Sequence, residues 1–412
     1  MNPHLDKHDA LIIVDMQNDF CPGGALPVQD CDSVVSTLNR WLECASQDGA
    51  KVIASRDWHP PDHSSFQEQG GNWPRHCMQT RTQEILAGLG VIENFLNEGI
   101  AVRHFQLHDV DRGSMLLSVP LEELASETTY PHLLILPQSR TEKLLLDALL
   151  QEPTAEVAFE SEVTGVSQIN SRVRVNFVGS HGPSSVDARF VAGCDGAHST
   201  VRQAIGASFD GLTYKMRAAL ADVSLEGVSD LPFPRITTRP VIAIGIKMEK
   251  DLWRLILPFS GSDSLPLDDR VAAAVTGLFD RDYRLVWQSS FHLHRRVSSK
   301  FASGRIVLAG DAAHLSSPVG GQGMNAGIQD AELLVKAMVE ALDRNSSDPL
   351  EAYAHRRRRE IREGVNRFTD LLTRVLLFRR GRMLRPLLRL ANASMRIPPV
   401  RRRFLRRLAM LD

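Results

Sequence analysis

The stretch GDAAHLSSPVGGQGMNAGIQDA, residues 310–331, decides how this chain folds. It follows the apolar run RIVLA (305–309) and leads into a segment with apolar residues at helical spacing, so it reads as strand, turn and helix. The turn from Pro318 through Val319, Gly320, Gly321, Gln322, Gly323 and Met324 to Asn325 sets backbone N–H groups at a helix N-terminus. Such donors stabilise negative charge on a bound group. Lone glycines mark ordinary turns more often than cofactor loops, so this reading needs a companion motif.

One lies upstream. Alternation in ARFVAGCDG (188–196) and in RVRVNFV (172–178) suggests strands leading into a second glycine turn. There Asp195 ends the strand, Gly196 lets the backbone approach a ligand, and Arg202 can reach a phosphate or hold the turn. Further back, LPQSRTEKLLLDAL (136–149) carries Gln138 and Arg140 at the start of a periodic helix.

Taken in this order, the three motifs resemble the FAD-dependent aromatic hydroxylases, the single-component class A flavoprotein monooxygenases. The resemblance runs from about Thr80 to the end of the chain. It implies that Gln138, Arg140, Asp195, Gly196, Ser199 and Arg202 hold FAD, that Gly310 and Asp311 meet the ribityl chain, and that the turn 318–325 faces the reduced flavin ring. It further implies NAD(P)H and O₂ as co-substrates and a small, electron-rich, phenolic substrate. That substrate would lie between the flavin and the strand-rich stretch Leu212–Arg295, with Tyr214, Trp253, Trp287 and His292 as pocket candidates.

That family opens with a strand, a GxGxxG turn and a helix whose N-terminus holds the FAD pyrophosphate. No GxGxxG precedes Arg81 here. In its place ALIIVD (10–15) and KVIAS (51–55) flank a periodic segment, 32–49, with Asp32 as N-cap and Gly49 as stop, which is one βαβ unit. Beyond it, Asp57, His59, His63 and His76 form a ligand set suited to Zn, Mn or Fe.

With DMQNDFCPGGALP (15–27), SRDWHPPDHSSF (55–66) and WPRHC (73–77), residues 1–79 resemble the nicotinamidase branch of the isochorismatase-like hydrolases. The resemblance implies Asp57, His59 and His76 as principal metal ligands, His63 as an accessory one, Asp15 as the base that activates a cysteine, and Phe20 and Trp73 as a pyridine pocket. That amidase chemistry also needs a lysine and a nucleophilic cysteine from later strands. After Cys77 only Cys194 remains, inside the second glycine motif.

Bulk properties narrow the rest. The 412 residues suffice for two or three domains, and a net charge of -1 provides no global field for nucleic acid. Five scattered cysteines without CxxC spacing, no signal-like start and no long apolar run lead to the expectation of a cytoplasmic protein. From Arg356 to Asp412 eighteen arginines face four acids on amphipathic segments, a candidate for contact with anionic surfaces.

The expected architecture is α/β: a three-layer, Rossmann-like FAD-binding domain on a parallel sheet, a mixed-sheet substrate domain, C-terminal helices, and an N-terminal βαβ from an isochorismatase-like fold. The expected boundaries are 1–79 for the hydrolase-like segment, 80–211 for the first part of the FAD domain with an excursion over about 94–125, 212–297 for the substrate sheet, 298–345 for the third motif and 346–412 for the basic helices. The expected function is an FAD-dependent, NAD(P)H-consuming aromatic monooxygenase. Two alternatives stand beside it: a metal-dependent nicotinamidase-type amidohydrolase, and a non-catalytic hybrid.

Overall fold

A computed structural model describes residues 10–13, 51–54, 75–180, 182–248, 251–377 and 384–411. The segments Val191–Gly193 and Ile306–Leu308 are short apolar runs buried along their whole length, as strands of a doubly covered parallel sheet must be. They pair in parallel, Val191 opposite Ile306 and Gly193 opposite Leu308. The complete sheet has five strands in the order Ala10–Ile13, Lys51–Ala54, Val191–Gly193, Ile306–Leu308, Ala302–Ser303. All neighbours are parallel except the last pair.

The two N-terminal strands therefore join the same sheet as the strands before the two glycine turns. Lys51–Ala54 takes the inner place, with Ala54 opposite Gly193, and Ala10–Ile13 forms the edge.

The long helix Gly323–Arg344 and the helix Asp348–Glu360 cover this sheet, burying Leu334, Met338, Leu350 and Tyr353 against Val191, Val307 and Leu308. Burying each such side chain contributes roughly 1.5–3 kcal/mol before chain entropy is subtracted. A three-stranded antiparallel meander, Glu162–Ile169, Arg172–Gly179 and Gly182–Ala188, joins the same core. The alternating stretch 172–178 is thus the middle strand of a meander. Only Val191–Gly193 enters the parallel sheet.

Strand Arg75–Met78 pairs antiparallel with Leu133–Pro137, which also pairs with Ile100–Val102. The boundary expected after residue 79 falls directly behind this strand, yet its pairing is with the flavoprotein-like part.

The expected mixed sheet has eight strands. Its order is His314–Leu315, Arg284–Ser298, Phe209–Ser224, Leu252–Ser260, Ala243–Lys247, Arg235–Thr237, His104–Asp109, Ser114–Pro120. The last two strands come from the stretch 94–125, and Arg235–Thr237 joins them in parallel. Helix Leu267–Leu278, with Asp268 and Asp269 complementing its N-terminal dipole, packs one face of the sheet over Trp253, Leu255 and Leu257. Helices Leu384–Ser394 and Pro398–Leu408 approach from the other side, inserting Leu384 and Leu388 beside Leu107 and Ile236, and Met395 and Leu405 beside Val119 and Leu124.

Candidate functional site

Because Val191–Gly193 and Ile306–Leu308 are parallel neighbours, the turns that follow them emerge side by side at the carboxyl ends of the strands. That is where open α/β sheets bind ligands. In the first turn Asp195 Oδ1 accepts from Ser199 Oγ at 2.5 Å and Oδ2 from the Val201 N–H at 3.0 Å. Ser199 Oγ in turn accepts from the Arg202 N–H at 2.8 Å and caps the short helix Thr200–Ala204. Gly196 has φ +72°, open to glycine without a Cβ penalty.

Arg202, suited by sequence to either a phosphate or the turn, supports the turns. Its guanidinium donates to Ala197 O at 2.6 Å and to Ala312 O at 2.8 Å, and lies 3.9 Å above the Phe209 ring.

The second turn is held from beneath. Gly310, φ +59°, donates its N–H to Asp330 Oδ2 at 2.9 Å, and His314 Nε2 meets the same oxygen at 2.6 Å. Arg357 Nε donates to Asp330 Oδ1, and its Nη2 donates to Ala326 O at 3.0 Å. Burial opposes the charge on Asp330, but the charges and hydrogen bonds of His314 and Arg357 outweigh it and hold the carboxyl below its ordinary range. Asp311 projects from this turn as an exposed residue, and a Cβ built on Gly310 meets nothing within 4 Å.

The third segment, Pro318–Asn325, is tied to the N-terminal junction. Gly320 and Gly321 take φ +99° and +63°, and the Gly321 N–H closes the turn on Pro318 O at 3.0 Å. Asn325 is fully buried. Its Oδ1 accepts from the Gln79 N–H at 2.8 Å and from Thr82 Oγ1 at 2.6 Å, while its Nδ2 donates to Cys77 O and Gly321 O, both at 2.7 Å. Gln79 Nε2 donates to Gly320 O at 2.8 Å, and Gln322 Nε2 to Arg407 O at 3.1 Å. The first N–H groups of the helix Gly323–Arg344 have no intrahelical partners by geometry, and space around a Cβ on Gly323 is open.

Val319 packs against Tyr214, Ala218 and Leu293, so this turn lies between the parallel sheet and the mixed sheet. Tyr214 Oη donates to Asp370 Oδ1 at 2.5 Å, Arg295 pairs with Asp370 at 3.1 Å, and Thr373 Oγ1 donates to Ser317 Oγ at 2.5 Å. Helix Asn366–Leu377 is thereby tied to the mixed sheet and to Ser317, just ahead of the glycine turn.

Several expectations need correction. Trp253 is wholly buried on the sheet face under helix Leu267–Leu278, a core residue and not a pocket wall. Trp287 is buried 5.8 Å from the Arg254 guanidinium, which is itself bonded twice to Asp222, at 2.8 and 2.6 Å. His292 is exposed beside His294. The FAD-contact expectation for Gln138 and Arg140 stands as a proposal; here Gln138 donates to Glu142 at 2.7 Å and Arg140 forms an exposed pair with both oxygens of Glu98.

Asp15, Asp57, His59 and His63 lie outside the described residues, and His76 enters only through its backbone, in a strand opposite Leu136. Among the described residues no cluster of three or more metal-ligating side chains occurs. Burial pushes the Cys77 thiol up to about 11 and the Cys194 thiol up to about 12, so neither is a ready thiolate nucleophile.

Asp330, His314, Arg357, Gln79, Thr82 and Asp370 escaped sequence reasoning. The pairings that tie them to the site span 16 to 246 residues of chain, and no local pattern encodes such pairings.

An FAD binding domain family model matches residues 72–250 and 268–368. This chain belongs to that family. An isochorismatase domain model matches residues 9–91, so the two halves read from sequence are both present. Among curated relatives of this FAD-binding family chain, para-nitrophenol 4-monooxygenase of Pseudomonas sp. strain WBC-3 is 32% identical over 60% of this chain and 64% of its own length. An uncharacterized aromatic compound monooxygenase, YhjG of Bacillus subtilis strain 168, is 30% identical over 73% of this chain and 60% of its own. The chain thus spans about three fifths of the curated relatives it matches.

Among solved structures, p-nitrophenol 4-monooxygenase PnpA from Pseudomonas putida DLL-E4 superposes with a TM-score of 0.76, covering 97% of this chain and 99% of that one. At 22% identity it shows the fold. The anhydrotetracycline hydroxylase OxyS from Streptomyces rimosus gives 0.69 at 28% identity, over 88% of this chain and 72% of that one.

Proposed function

We propose that this protein is an FAD-dependent monooxygenase that hydroxylates a small phenolic ring at the expense of NAD(P)H and O₂. The observation that carries the reading is the juxtaposition of the Asp195 and Asp311 turns on neighbouring parallel strands, with the glycine turn 318–325 between them and the mixed sheet. The residues fit the flavin end of the cofactor: Gly310 and Gly323 leave space that a Cβ would fill, and the first N–H groups of helix Gly323–Arg344 are without intrahelical acceptors. Asp311 would hold a ribityl hydroxyl, and the N–H groups of Gly323 and Met324 would stabilise negative charge on the reduced ring.

Bound flavin supplies the redox chemistry, passing two electrons from NAD(P)H to O₂, so that one oxygen atom enters the ring and the other leaves as water. Asp330, His314 and Arg357 keep the Asp311 turn in place, while Tyr214, Asp370 and Thr373 tie helix Asn366–Leu377 to the mixed sheet and to Ser317. The pyrophosphate end is less well served. The sequence holds no GxGxxG before Arg81. Losing two charged-group hydrogen bonds, roughly 3–6 kcal/mol, weakens FAD binding by about 10² to 10⁴ relative to an intact family member.

The test is a flavin titration followed by desalting and NAD(P)H oxidation with a panel of phenols. Flavin uptake with substrate-stimulated oxidation supports the reading; protein that quenches no flavin fluorescence at saturating FAD refutes it.

A further inference from the structure

We infer that the outer face of the last two helices is a docking surface for an anionic phospholipid bilayer. The segment 384–411 contains eight arginines and no acid. Five of these arginines tie the helices to the body: Arg385 to Asp109 and Asp111, Arg401 to Glu123, Arg402 and Arg406 to Glu127, and Arg407 to the Glu363 and Gly364 carbonyls. Arg389, Arg396 and Arg403 are exposed and have no ion-pair partner among the described residues.

Large aliphatic side chains lie among them. Leu390 is 66% exposed, Ile397 53% and Val400 44%, a degree of exposure that costs solvation unless something apolar covers it. Helix geometry places these residues together. Leu384 and Leu388 face inward, so Arg389, Leu390 and Ala393 share the opposite side, which continues through Arg396 and Ile397 into Pro399, Val400 and Arg403. Beside them a groove is lined by Pro398, Pro399, Arg402, Arg403 and Arg406, where Arg402 and Arg406 share Glu127 and Arg403 is left to meet a phosphodiester.

A face on which Arg389, Arg396 and Arg403 are free and exposed aliphatics lie among them is complementary to a negatively charged interface into which short apolar side chains can insert. It is poorly suited to self-association, because a twofold contact would set arginine against arginine. No described helix is long and apolar enough to cross a membrane, so the contact is peripheral. The inference does not depend on flavin binding.

The test is flotation of the full chain with vesicles of phosphatidylcholine alone and of phosphatidylcholine mixed with phosphatidylglycerol. Binding to the mixed vesicles only, reversed by salt, is expected. The R389S/R396S/R403S variant should lose about a hundredfold in affinity, at about one kcal/mol for each basic residue near the surface. L390S/I397S should weaken binding further at high salt, where insertion outweighs charge. Circular dichroism checks that both variants fold, as expected for exposed positions. Absence of binding to either vesicle, or binding unchanged by the arginine substitutions, overturns the inference. So does retention on polyglutamate without vesicle binding, which assigns the face to an acidic protein. A dimer by light scattering that the arginine substitutions dissociate assigns it to a second copy and likewise overturns the lipid reading.

Discussion

Asn325 satisfies four hydrogen bonds with one buried amide, joining Cys77, Gln79, Thr82 and Gly321. N325A leaves the Gln79 N–H and two carbonyls buried without that partner, and should lower stability by about 2–4 kcal/mol in chemical denaturation. D330N strands the buried Arg357 guanidinium and should cost about 3–5 kcal/mol, while H314Q, which keeps a donor near the carboxylate, should cost far less. If the two variants are equally destabilised, the charge pairing is not what holds the turn.

Glu156 tests the same physics from the opposite direction. It is 5% exposed, and neither carboxylate oxygen has a hydrogen-bond partner among the described residues. Burial pushes it up to about 8, while the unfolded chain titrates near the ordinary 4.5. The folded form therefore retains a proton that the unfolded form has released. The contribution of Glu156 to stability is therefore greatest below pH 4.5, falls as pH rises from about 4.5 to about 8, and changes no further above that. E156Q should remove most of that fall, read as urea midpoints at the two ends of the window.

At the scale of elements, the turn glycines carry the site. Gly310 sits at φ +59° with open space where a Cβ would go, so G310A costs backbone strain of about 1–2 kcal/mol and no clash. Its Cβ would project into the space assigned to the flavin, so the loss in flavin affinity by fluorescence quenching should exceed that modest drop in stability. Equal losses would place the cofactor elsewhere.

The two strand–turn–helix units were legible in the sequence because glycine, an acid and helical periodicity are local signals that survive without tertiary context. The meander around Arg172–Gly179 was not, since period-2 alternation fits a meander strand and a strand leading into a turn equally well. Trp253 misled for a related reason: an aromatic residue in a strand faces one side or the other, and only the helix Leu267–Leu278 decides which side is core. Arg202 could have been read either way until Ala312 O came within reach from 110 residues away.

At the scale of the whole molecule, the five-stranded sheet draws on both halves of the chain. Deleting residues 1–74 removes two of its strands and bares the pairing edge of Val191–Gly193. The truncated protein should lose its cooperative thermal transition and aggregate, by calorimetry and light scattering. An unchanged melting temperature would mean that the hydrolase-like segment is a passive appendage.

The clamp made by Asn325 has a consequence for how such a chain can arise. Two of its four bonds to the junction and turn are made to the N–H of Gln79 and the carbonyl of Cys77, groups that any amino acid other than proline at position 79 presents. The seam is therefore largely indifferent to the identity of what is stitched upstream, provided that an extended strand arrives in register. Recombination can exchange the leading segment of such a protein without renegotiating the joint, and designed chimaeras can be spliced at the same place.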